Sequence, residues 1–146
     1  MPDDFSGFDY IYYIHDGLHY FYNEETNDWN LGGSDMPWGG SDMIVLDTIG
    51  YLPVTSITQV FDPLSFESSF SHASIGTSVK NITDYAFYTR EANLSTITYR
   101  GTMAQWNAIT FDETWNAECD EITVNCVDGT IIVPASTVEG EGWWAP

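Results

Sequence analysis

Two aromatic and β-branched runs, Tyr10-Ile11-Tyr12-Tyr13-Ile14 and Leu18-His19-Tyr20-Phe21-Tyr22, flank Asp16-Gly17, and no other stretch limits the fold as tightly. Such runs favour extended backbone because branched and aromatic side chains pack well on a pleated surface. Asp-Gly between them tolerates positive φ at both positions, the requirement of a two-residue hairpin turn. The turn sets the register: Tyr13 opposite Tyr20, Tyr12 opposite Phe21, Ile11 opposite Tyr22. Each aromatic cross-strand pair stabilises a sheet by roughly 0.2–1 kcal/mol. Glu24-Glu25-Thr26-Asn27 then turns the chain into a third strand carrying Trp29 and Leu31. Residues 1–31 therefore read as an aromatic β-meander. Both of its faces are aromatic, so one packs on the rest of the chain and the other wants cover, as a protein partner would supply. Tyr10, Tyr12 and Phe21 are the expected outward contacts.

Gly32-Gly33-Ser34-Asp35-Met36 recurs as Gly39-Gly40-Ser41-Asp42-Met43. Two copies do not define a solenoid, and Gly-Gly-Ser composition reads as a linker loop over 32–43. Its seven-residue period differs from the nine-residue calcium-binding β-roll repeat, so no metal is assigned there. Met43-Ile44-Val45-Leu46 and Val54-Thr55-Ser56-Ile57-Thr58 predict two strands. Residues 62–78, rich in Ser and Phe with Asp62-Pro63 as a turn signal, predict an irregular, partly buried loop.

Ile82, Ala86, Phe87, Leu94 and Ile97 follow an I-x-x-x-A-F spacing that continues to L-x-x-I, and Val54 and Ile57 precede Val79 and Ile82 by 25 residues each. After them, Thr102 and Gln105 form a capping-box pair, predicting a short helix from Met103 to Ile109 that buries Trp106 and Ile109. Thr114 to Ala117 reads as a loop. Ile122 to Cys126 alternates as a strand, and Asp128-Gly129 turns it into Thr130-Ile131-Ile132-Val133. On these residues the segment 79–132 resembles the BspA-like leucine-rich repeat family: one repeat plus a C-terminal cap. It departs at Arg90, where that pattern carries Cys. The resemblance implies a cell-surface adhesion or host-interaction role. A single such unit cannot bury its own apolar face, so residues 44–78, the meander or another subunit must cover it.

The chain has 146 residues, enough for one domain or two small modules that lean on each other. Three basic residues, Lys80, Arg90 and Arg100, face 22 acidic ones, for a formal charge of −19. That balance excludes nucleic acid as a partner, because phosphate neutralisation needs clustered Lys and Arg. It points instead to basic protein subunits, or to a salty medium that screens self-repulsion. No apolar run is long enough for a helix to span a membrane. Met1-Pro2-Asp3-Asp4 is acidic where a secretory signal is basic, which predicts no export by that route. Cys119 and Cys126 are too few for a disulfide framework and read as free, buried thiols. His15 should pair with Leu18 and His19 with Ile14, placing the two imidazoles on opposite faces and excluding a shared metal. No nucleophile elbow, phosphate loop or dinucleotide fingerprint appears, and neither catalytic residues nor a cofactor are expected. A small acidic hydrolase using Asp or Glu has no motif behind it.

The sequence thus predicts a mainly β fold with a short helix. The aromatic meander is joined by the Gly-rich linker to a truncated leucine-rich-repeat-like module over 44–134, with a tail at 135–146. Trp143 and Trp144 end that tail and are further expected contacts with a neighbour. The expected function is a non-catalytic structural protein of a virion surface, of the phage tail-fibre or capsid-decoration type, acting through contacts with other subunits or as a homo-oligomer. The alternatives are an extracellular or cell-surface adhesion protein and a carbohydrate-binding module, since aromatic residues on strands stack on sugar rings.

Overall fold

The computed structural model describes residues 11–35, 42–61, 70–89 and 94–137. Three strands open the chain: β1 (Tyr12–His15), β2 (Leu18–Asn23) and β3 (Asp28–Ser34). They are antiparallel neighbours, with Tyr12 opposite Phe21, Tyr13 opposite Tyr20 and His15 opposite Leu18, the register expected from Asp16-Gly17. Tyr22 N–H donates to Ile11 O, continuing it. Asp16 and Gly17 both take positive φ, as the two-residue turn requires.

From β3 onward the chain winds back and forth between two sheets. β4 (Asp42–Ile44) lies in the second sheet; β5 (Thr48–Ile49) and β6 (Leu52–Thr58) return to the first. β7 (His72–Ile75) and β9 (Thr96–Tyr99) belong to the second, β8 (Asn81–Thr83) and β10 (Thr110–Phe111) to the first. A short helix, α1 (Met103–Asn107), bridges β9 and β10. The described part closes with the antiparallel pair β11 (Ile122–Cys126) and β12 (Gly129–Val133). The seven-stranded sheet runs β1-β2-β3-β6-β8-β10, with β5 paired to β6; the five-stranded sheet runs β12-β11-β9-β7-β4. Within each sheet the strands of successive coils are parallel. The fold is mainly β and solenoid-like.

Parallel stacking places one residue of each coil directly above its counterpart, so side chains line up in rows about 4.8 Å apart. Leu31, Ile57, Ile82 and Phe111 form the inward row of the first sheet. Met43, Ala73, Ile97 and Val124 form that of the second. Both rows enter one hydrophobic cluster with Phe61, Phe70, Phe87, Trp106 and Trp115. The 25-residue recurrence of Val54/Ile57 at Val79/Ile82 is this coil repeat, for Ile57 sits opposite Ile82 and all four side chains are buried.

Two expectations are corrected. Residues 72–75, expected in an irregular loop, form β7, an internal strand of the second sheet between β9 and β4. Ala73 and Ile75 are buried while His72 and Ser74 are only partly covered, a two-residue alternation too weak to identify without its neighbours. Gly32 to Ser34, expected at the start of a linker, continue β3. The rest of the short Gly-Gly-Ser-Asp-Met repeat at 36–41 lies outside the described residues. The meander is also welded to the coils: Tyr20 Oη accepts Leu46 N–H at 3.1 Å, and Trp29 Nε1 donates to Ile49 O at 3.1 Å.

Candidate binding surface

Of the five residues expected to contact a partner, Tyr12 and Phe21 fall within the described structure; Tyr10, Trp143 and Trp144 lie outside it. Tyr12 and Phe21 are cross-strand neighbours whose ring centroids stand 6.0 Å apart at 37°. β1 is the last strand of its sheet among the described residues, with no coil stacked beyond it. Tyr12, Tyr13 and Ile14 are therefore exposed by 51, 43 and 47%. Sequence reasoning singled out Tyr12 and missed the other two. Tyr13 shares the inward row with buried Tyr20, so hairpin alternation alone assigns it to the core. Its end position is what leaves it open, with its ring stacked on that of His15 at 6.2 Å.

The histidines stand apart. His15 and His19 occupy opposite faces of the hairpin, since they face Leu18 and Ile14 respectively. His19 Nε2 lies 2.7 Å from Asp35, and His15 Nε2 lies 3.4 Å from Asp16. His72 bridges Asp42 at 3.3 Å and Thr98 at 2.8 Å on the second sheet. Among the described residues no group of three His, Cys, Asp or Glu side chains is assembled to hold a metal ion. Cys119 and Cys126 are free; burial, reinforced by Asp120 and Glu118, pushes the Cys119 thiol up to about 12 and so suppresses its thiolate. Burial also raises the Cys126 thiol, with Asp128 adding to it.

A cleft of about 80 Å³ opens between α1 and the corner at Thr77, lined by Lys80, Tyr99, Gln105 and Ile109 among others. Ligand pockets run to several hundred Å³, so this space suits a few waters. Lys80 Nζ donates to Thr77 O at 3.3 Å there, and burial raises the Tyr99 phenol.

The surfaces left for recognition are the strand edges and the outward sheet faces. No helix among the described residues is long and apolar enough to cross a membrane. The chain matches no protein-family model, no curated protein and no solved structure.

Proposed function

We propose that the protein is a non-catalytic structural and binding component of a surface assembly, such as a virion, and that it docks on neighbouring subunits through its N-terminal hairpin. The observation that carries this reading is the run of three large apolar side chains, Tyr12, Tyr13 and Ile14, each about half exposed on the terminal strand of the larger sheet. Alternation along β1 points these side chains to both faces of the sheet, so a neighbour that embraces the strand buries all three. The formal charge of −19 opposes contact between copies at low salt and favours a basic neighbour. A cell-surface adhesion role is the second reading, supported by the stacked coils that fit the resemblance of 79–132 to leucine-rich repeats.

Light scattering on the full-length chain at low and high salt tests the first reading. The expected result is an oligomer of defined size that forms once salt screens the carboxylates and is lost in Tyr13→Ser/Ile14→Ser. A monomer under both conditions would overturn docking between copies and leave the free-standing binding module.

A further inference from the structure

We infer that the outward face of the seven-stranded sheet binds a neutral glycan chain laid across its strands. Six side chains line up there in one continuous register: Tyr12, Phe21, Asn30, Ser56, Asn81 and Thr110. None of them is buried. At about 4.8 Å per strand the row is about 24 Å long, a track for an extended polymer rather than a pocket for a small molecule.

The chemistry of the row is divided. Its first two members are aromatic, and Phe21 is laid against the sheet. A Cβ at Gly32 would stand 3.3 and 3.5 Å from two Phe21 ring carbons and 2.8 Å from Asn30 Nδ2. The glycine is what lets the ring and the amide settle side by side. The other four members are amides and hydroxyls. Asn30 is fixed in orientation: its Oδ1 accepts from Ser56 Oγ at 2.7 Å, and its Nδ2 donates to Thr58 Oγ1 at 3.1 Å. A second Nδ2–H remains for a ligand. Asn81 is exposed and offers both a donor and an acceptor. A sugar ring has an apolar C–H face and a rim of hydroxyls, and it meets an aromatic face and a line of amides with those two parts respectively.

Charge selects among polymers. The chain carries 22 acidic residues, yet the six-membered row has none, and the adjacent positions Ile14, His19, Thr58 and Thr83 have none either. The flanking Asp28 is turned to the hydroxyls of Thr26 and Thr55. An anionic polymer is repelled by the overall field. A basic peptide meets no carboxylate in the row itself. The flanking Asp35, Asp84 and Asp112 are, like Asp28, engaged: Asp35 on His19, Asp84 on Thr83, and Asp112 on the Asp84 and Thr114 N–H groups. A neutral glycan is opposed by neither. The row shares Tyr12 with the hairpin docking surface, and separate variants tell the two readings apart: Phe21→Ala and Asn81→Ala probe the row, Tyr13→Ser/Ile14→Ser the docking.

Native affinity electrophoresis of the full-length protein in gels containing laminarin, hydroxyethylcellulose, soluble starch or galactomannan tests the inference. At least one of these should retard the wild type. Phe21→Ala should weaken that retardation about tenfold, a loss of the size expected for one aromatic contact. Asn81→Ala, an exposed change, should weaken it severalfold. Tyr51→Ala, at a fully exposed turn residue away from the row, should leave it unchanged, and circular dichroism should show each variant folded. No retardation by any of the four polymers overturns the inference. So does retardation that Phe21→Ala and Asn81→Ala both leave intact, or binding only to an oligolysine peptide that salt abolishes.

Discussion

Arg100 ties three coils together at one corner. Its Nη2 donates to Asp47 Oδ1 at 2.8 Å and to Val45 O at 3.0 Å, and its Nη1 donates to Ser74 Oγ. Gly76 makes the arrangement sterically possible, because a Cβ there would stand 1.7 Å from Asp47 Oδ1 and 2.9 Å from Arg100 Nη2. The Asp47 side chain is 55% exposed, so it can swing away from an added methyl, and the loss is confined to the clamp. Gly76→Ala should destabilise the fold by about 1–2 kcal/mol in urea unfolding. Asp47→Ala should cost a similar amount, and the double variant little more than either alone, since both changes break the same contact. Fully additive losses would show that Gly76 serves some other need. Nothing in the sequence marks this triad, whose members lie 53 and 29 residues apart along the chain and meet only because the coils stack.

At the scale of elements, legibility followed the strength of the local signal. The hairpin register was readable because Asp16-Gly17 permits one pairing and the runs on either side agree with it. The helix was readable from Thr102 and Gln105, which form the reciprocal capping box: Gln105 N–H donates to Thr102 Oγ1 at 3.1 Å and Thr102 N–H to Gln105 Oε1 at 2.8 Å. Asp128, in the turn between β11 and β12, accepts Met103 N–H at 2.8 Å and fastens the same end to that hairpin. Thr102→Ala should therefore cost about 1 kcal/mol, typical of a lost N-cap, measurable as a lower urea midpoint at unchanged slope. A loss near zero would mean that Asp128 alone holds the helix start. By contrast β7 was not readable. Its His-Ala-Ser-Ile sequence has modest strand preference, and its place between β4 and β9 follows from ladders on both sides rather than from its own residues. The residues of the candidate glycan row were equally illegible as a set, since Asn30, Ser56, Asn81 and Thr110 become neighbours only in the stacked register.

The whole molecule sets a strongly acidic surface around an aromatic core, and the core controls its response to alkali. Burial pushes the Tyr20 phenol up to about 12, against the opposing effect of the Leu46 N–H bond, and pushes the Cys119 thiol to about 12 as well. Both groups hold their protons more tightly folded than unfolded, where their ordinary values are 10.0 and 9.0. Their contribution is fully present below about pH 9 and is lost as pH rises through that point toward about 12. Unfolding free energy measured in urea should accordingly fall as pH rises above about 9, and Cys119→Ala should delay the onset. Stability that rises above pH 9 would contradict a core built on these two groups.

Composition, the Asp-Gly turns, the capping box and the 25-residue recurrence determined that this chain is mainly β, where its first hairpin pairs and where its helix begins. Those are local matters of backbone preference and short-range hydrogen bonding, written in contiguous residues. Tertiary stacking decided the rest: that 72–75 is a strand, that Gly32 to Ser34 extend one, that Tyr13 is left open at the end of its sheet, and that Arg100 reaches Asp47. Each depends on which coil lies above or below, and residues a coil apart acquire a common face only when the strands have already been laid side by side.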